Sequence, residues 1–416
     1  MTGYLDHAAT TPMRPEAVDA MVPWLRDRYG NPSASHRAGR AARRALDDAR
    51  DAIAEVVGGE PGGVIFTSGG TEADNQAVTR AGRPGGVAVC SAVEHDAVLA
   101  AVGSTGGGRV VAVGADGRID LDALGEALGP DVAVVSVMLV NNEVGVIQPI
   151  AAVVDVVRRG APDAVVHCDA VQGVSWLDVA EHTAGVDLVT VSAHKVGGPK
   201  GVGALVARPG VSVRPLLVGG GQERDRRSGT QNVAGAVAFG VAARAAAEDR
   251  KALVDRITPL HERLVDGLVA AVPGVVVTAG WESDRHVSAP VSTPTATPSA
   301  PAPNSPTGCA PNRRRFGAQT KQQVSGIVHV CIPGVESEAL LFLLDQAGVA
   351  ASAASSCASG AMEPSHVLAA MGVDRALAAG SLRLSMGWST TEADIDLALA
   401  VIPPAVARLR AGNGAG

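Results

Sequence analysis

Much of what marks other protein classes is missing from this chain of 416 residues. No uninterrupted apolar run reaches the roughly 20 residues that a membrane-spanning helix needs. The opening Met1-Thr-Gly-Tyr-Leu-Asp has neither the basic region nor the apolar stretch of a secretory leader. Basic residues are in the minority, 35 Lys and Arg against 42 Asp and Glu for a net charge of -7. That balance offers nucleic acid no electrostatic foothold. Cysteine is scarce: Cys90, Cys168, Cys309, Cys331 and Cys357 are too few and too scattered for a disulfide framework or a zinc site. Together these absences predict a cytoplasmic protein with reduced thiols and no intrinsic metal, in which any important cysteine acts through its reactivity.

What is present is alternation. Apolar runs rich in β-branched residues occur at Val64–Thr67, Gly86–Cys90, Val132–Val140, Ala164–Asp169 and Asp187–Ser192. Helical spacing lies between or beside them, as at His36–Val57, Leu121–Leu128 and Ile150–Arg159. Such alternation predicts an α/β domain with a mostly parallel sheet covered on both faces. The length allows a smaller domain beside it. We expect a large domain over 15–255, and a small one from 1–14 and 256–416. Two helices are expected after the sheet, Val233–Ala247 and Ala246–Ala271. The segment Ser288–Gln323 holds Pro290, Pro294, Pro298, Pro301, Pro303 and Pro306 among Ser, Thr and Ala, a composition that cannot bury a core.

Polar residues gather where the strands end: Thr71, His95, Asn142, Asp169 and Lys195. In open α/β sheets that edge binds ligands. Lys195 follows a buried-strand pattern and precedes glycines and a proline, so a rigid strand would set its amine on a tight turn, where desolvation makes it a nucleophile. Ser68-Gly-Gly-Thr-Glu-Ala-Asp-Asn75 joins a strand to a helix start and suits an anion, without the Gly-Lys-Ser/Thr ending of a Walker loop. Gly219–Thr230 is glycine-rich and basic, and favours a phosphate or carboxylate contact. Arg383 stands in the middle of the strand pattern Gly380–Met386, where a charge is either edge-exposed or paired with a ligand carboxylate. Cys357 lies in Ala350–Ala361, a run of small residues that gives little packing and is expected to be mobile. The opening Leu5-Asp-His-Ala-Ala-Thr-Thr-Pro needs something to pack against.

Taken together, Leu5–Pro12, Thr67–Asn75, Glu94-His95, Asn141-Asn-Glu-Val-Gly145, His167-Cys-Asp-Ala-Val-Gln172, Ser192-Ala-His-Lys195, Arg227-Ser-Gly-Thr230, Ser356-Cys-Ala-Ser359 and Leu382-Arg-Leu-Ser385 resemble a cysteine desulfurase of the NifS/IscS type. This is a pyridoxal-phosphate-dependent group within the class V aminotransferase family. The resemblance covers about Tyr4–Trp281 and Gly326–Arg408. It implies the aspartate-aminotransferase-like fold, with pyridoxal 5'-phosphate held by Lys195 as a Schiff base. It further implies that Asp169 pairs with the ring nitrogen, Gln172 bonds the phenolic oxygen, His95 stacks on the ring and Asn142 lies along its edge. Gly70, Thr71, Ser192 and His194 would hold the phosphate, and Thr230 would reach the cofactor of a homodimer partner. Arg383, with Asn31 nearby, would clamp the substrate carboxylate.

By the same resemblance L-cysteine is the substrate and Lys195 moves its Cα proton. Cys357 takes the sulfur as a persulfide, L-alanine leaves, and His95 serves as a base. An acceptor or scaffold protein would receive the sulfur for iron–sulfur assembly or for tRNA or cofactor thiolation, and Cys357 could ligate a cluster transiently. The chain departs from the family pattern at Ala354 and Ser356, where glycine and alanine are usual. A selenocysteine lyase or another class V enzyme would share Lys195 and Asp169 with less need of Cys357. A non-catalytic sulfur-relay partner would bind no cofactor.

Overall fold

The computed structural model describes residues 3–279, 322–353 and 365–413. Most of Ser288–Gln323 and all of 354–364, with Cys357, Ala354 and Ser356, lie outside them, as does Cys309.

Seven strands form the main sheet: β1 (Val64–Thr67), β2 (Val87–Ser91), β3 (Arg109–Val111), β4 (Val132–Ser136), β5 (Val165–Asp169), β6 (Leu188–Ser192) and β7 (Gly203–Ala207). Their spatial order is β1-β7-β6-β5-β4-β2-β3. Only β7 runs against its neighbours β1 and β6; the remaining pairings are parallel. Strands β1, β4, β6 and β7 are buried along their whole length. Their unbroken Val/Ile/Leu/Ala runs therefore reflect helices on both faces. The run expected to extend to Val140 leaves the ladder after Ser136, although the Val137 and Leu139 amides still donate to the His167 and Asp169 carbonyls.

Helices α1 (Pro15–Arg26) and α2 (Arg37–Val57) pack against α4 (Val233–Ala271), while α3 (Gly70–Arg80) follows β1. His36 caps α2 through its ring nitrogen, and Gly58, at φ 69°, ends it in the left-handed conformation glycine tolerates. The two helices expected at Val233–Ala247 and Ala246–Ala271 are one helix of 39 residues, about 58 Å long. Its composition changes where its partners change. The first half lays Ala236, Ala238, Phe239, Ala242 and Ala246 on the sheet domain's core; the second sets Ile257, Leu260, Leu264 and Leu268 into another.

That second core surrounds the antiparallel strands β8 (Ile327–Cys331) and β9 (Ser381–Ser385), with the short strand Val276–Val277 on the far side of β8. The N-terminal segment belongs to it: Gly3–Tyr4 pairs with Val349–Ala350, and Leu5 is fully buried there. Gln322 and Gln323 were expected in the coreless insertion. Instead Gln323 is buried and its amide donates to the Val144 and Ile327 carbonyls, so packing resumes before Val324.

The basic loop Gly219–Thr230 is held by the chain's own acceptors. Arg224 and Arg226 donate to the Gly62 carbonyl, and Arg227 pairs with Glu72 at 2.9 Å. Arg50 on α2 reaches Glu223 at 2.5 Å, and both side chains are buried. Burial alone would raise the Glu223 carboxyl, but the Arg50 contact, with Gln231 and the Phe66 amide, holds it below the usual range. Glu223→Ala, which strands Arg50 without its anion, is expected to cost about 3–5 kcal/mol, read as a lower denaturation midpoint at unchanged slope.

Candidate active site

Because β1, β2, β4, β5 and β6 point the same way, their C-terminal ends converge on one edge of the sheet. A cavity of about 410 Å³ opens there, lined by Gly70, Thr71, His95, Asn142, Asp169, Gln172, Ser192, His194, Lys195 and Arg383, all ten named from the sequence. Asp74, Ser352, Ala8 and Ala9 are among the other lining residues.

Strand β6 delivers Lys195. Its five residues are buried, and one 3-10 turn, Ala193–Lys195, carries the lysine over the edge of the sheet. The amine donates to the carbonyls of Ala8 at 2.5 Å and Ala9 at 2.8 Å. The opening motif thus packs against the pocket floor, and Gln172 also donates its amide to Ala8 at 2.8 Å. Burial, helped by the Arg383 charge, lowers the Lys195 pKa from 10.5 to about 8 against the opposing pull of Asp169 and Asp6.

An anion cradle lies beside it. The first turn of α3 leaves backbone N–H groups without intrahelical partners, and no side chain caps them at Gly69. Gly69 adopts φ 155°, and a Cβ on Gly203 of β7 would come within 2.7 Å of the Gly69 backbone. The glycines let the strand run directly under the turn. The Ser192 hydroxyl is buried and has no partner among the described residues. The neighbouring His194 imidazole is pushed down to about 4, mainly by burial, and so is neutral. Free amides, an unsatisfied hydroxyl and a helix N-terminus fit a phosphate dianion.

Asp169, at the end of β5, is buried and accepts the Val171 amide at 2.9 Å. Burial raises its carboxyl, while His95 and Lys195 favour the charge. Asp74, three residues along α3 from Thr71 and therefore on the same helix face, is buried beside it and raised still further by burial and by the Asp169 charge. The helical spacing could have singled out Asp74; nothing in the sequence said that α3 would lie against β5 and β6. Glu94, next to His95, is also buried and pushed up to about 8 by burial.

Of the two readings of Arg383, edge-exposed or paired with a ligand carboxylate, its burial excludes the first. Strand β9 is an edge strand, yet its arginine is buried, and the chain itself engages both terminal nitrogens: Nη2 meets Asp6 at 2.9 Å, and Nη1 donates to the Asn142 carbonyl at 2.9 Å. Strands β8 and β9 close under the N-terminal segment, which brings an acid that sequence spacing could not reveal. Asn31 and Thr230 are exposed and do not line the cavity. Asn31 caps its own turn by accepting the Ser33 amide at 2.9 Å.

Both flanks of 354–364 are anchored near this cavity. Ser352 exchanges backbone hydrogen bonds with Arg383, Ala353 accepts the Ser381 hydroxyl, and Ser365 donates to Glu143. Cys357 falls between these flanks in sequence, outside the described residues.

The Aminotransferase class-V family model matches residues 3–292 and 309–398. The chain belongs to this family, whose enzymes depend on pyridoxal 5'-phosphate. Its relatives narrow the class. It is 42% identical to the IscS-like cysteine desulfurase of Mycobacterium tuberculosis over 98% of this chain and 97% of that one. It is 41% identical to a cysteine desulfurase of Cereibacter sphaeroides over 98% and 96%. A solved NifS-like protein superposes with a TM-score of 0.82 at 30% identity, covering 98% of this chain and all of that one. The NifS-like protein of Rickettsia africae gives 0.81 at 27% identity over 97% and 99%.

Proposed function

We propose that this protein is a pyridoxal-phosphate-dependent cysteine desulfurase, which converts L-cysteine to L-alanine and passes the sulfur on as a persulfide of Cys357. The observation that carries the reading is the convergence of a desolvated lysine, a buried aspartate, an anion cradle and a buried arginine on one cavity.

Lys195 would hold the cofactor, and Asp169 would pair with its ring nitrogen. Gly70, Thr71, Ser192 and His194 hold the phosphate, with Thr230 contributed across a homodimer. When bound, the cofactor supplies an electron sink for the pair left by the Cα proton. Arg383 orients the substrate carboxylate, with Asn31 at the approach. Lys195, once its amine is free, carries the Cα proton at Nζ. His95, on the rim, takes the thiol proton. The Cys357 thiolate then attacks the substrate sulfur: the sulfur–sulfur bond forms, the carbon–sulfur bond breaks with its pair on Cβ, and return of the thiol proton to Cβ and of the Lys195-held proton to Cα gives alanine. Large and small domains meeting near residue 255, a cytoplasmic setting and an acceptor or scaffold protein for the persulfide complete the proposal.

Incubation with L-cysteine and a thiol reductant tests it. Alanine and sulfide are expected in equal amounts. Alanine without sulfide, or purified protein that stays colourless with added pyridoxal phosphate, would refute it.

A further inference from the structure

Arg383 is the buried cation of the smaller core, with a side chain only 5% exposed. A guanidinium in that position needs an anion, and the described residues give it one ion pair, Asp6 at 2.9 Å. Asp6 is itself fixed. Its backbone bridges to Ser385 on β9, and the Tyr4 hydroxyl donates to its carbonyl at 3.2 Å and to that of Thr10 at 2.7 Å. With Nη1 on the Asn142 carbonyl and Nη2 on Asp6, the guanidinium plane is held from two sides. Its Nε is buried with no partner among the described residues.

We propose that Asp6 is a positioning residue for the reaction: it fixes Arg383 with an unpaired N–H edge available to an amino-acid carboxylate, and offsets the Arg383 charge at Lys195. The proposal rests on the reading of Arg383 as the carboxylate site. One short segment performs both tasks, because Ala8 and Ala9, two and three residues beyond Asp6, supply the carbonyls that hold the Lys195 amine. The Arg383 and Asp6 charges act on that amine in opposite directions. The other ionisable groups around it, Asp169, Asp74, His95, His194 and His7, are left intact by a change at Asp6.

The test uses the cofactor-loaded enzyme and reads binding from cofactor absorbance, so it does not require turnover. L-alanine carries the carboxylate; cysteamine, which is L-cysteine without its carboxylate, does not. Asp6→Ala is expected to weaken L-alanine about tenfold and leave cysteamine within about twofold. Asp6→Asn keeps an oxygen for Arg383 and removes the charge. It should hold L-alanine within about threefold of wild type, while the pH midpoint for cofactor capture by the apoprotein shifts to the acid side in both variants. Equal weakening of both ligands, tighter L-alanine binding, or an unmoved midpoint would each overturn the proposal. If wild-type enzyme binds L-alanine but releases no sulfide from L-cysteine, the desulfurase reading fails while the role of Asp6 is still measured.

Discussion

Lys195→Ala is expected to lower alanine formation from L-cysteine by at least about a thousandfold and to leave pyridoxal phosphate removable by dialysis. The size follows from the two tasks that the proposed function places on one amine. On that reading the attaching amine must be neutral to attack an aldehyde, and burial with the Arg383 charge eases this by bringing the Lys195 pKa down to about 8. The neutral fraction therefore rises as pH climbs through about 8, where an unperturbed lysine would wait until 10.5. Cofactor capture by the apoprotein should quicken over the same range. As the proposed proton carrier, Lys195 has no substitute at that position: His194 points its Nδ1 to the Thr10 hydroxyl at 3.3 Å, and on the same reading Asp169 is taken by the ring nitrogen. Arginine at 195 would keep a cation but could not serve either task. Wild-type turnover with the alanine variant would remove Lys195 from the chemistry.

How much of this was legible in the sequence depended on whether a feature was local. The strand-end residues could be read because period and position suffice: a buried strand must stop, and its first polar residues fall on the ligand edge. So Thr71, Asn142, Asp169 and Lys195 came together as expected. The long helix looks like two in the sequence because its composition changes near Ala247, and the change marks a change of partner core, not a break. Asp6 and Arg383 are 377 residues apart; only the closing of the N-terminal strand onto the second core makes them a pair. Asp74 was hidden for a similar reason, since a helix shows its own faces but not the sheet it will cover. The arginines of Gly219–Thr230 suggested a ligand, and their partners proved to be Gly62 and Glu72. An arginine fork donates to a carbonyl or carboxylate of its own chain as readily as to one from a ligand.

Cys357→Ala is expected to abolish sulfide and alanine release together, again by at least about a thousandfold, while L-cysteine still perturbs the cofactor absorbance. The coupling of the two losses carries the argument. If Cys357 accepts the sulfur, the carbon–sulfur bond cannot break without it, so alanine formation must stop as well. The described cysteines are poor substitutes. Cys90, Cys168 and Cys331 are buried, and burial pushes each thiol up, away from the thiolate that attack requires. Serine at Cys331 should therefore leave turnover within about twofold of wild type, and so should serine at Cys309. Binding of L-cysteine survives because Arg383, Asp6 and Lys195 are untouched, which separates a lost nucleophile from a misfolded site. Undiminished alanine and sulfide release from Cys357→Ala would instead favour a lyase that cleaves the bond without a protein thiol, with Lys195 and Asp169 unchanged in their roles.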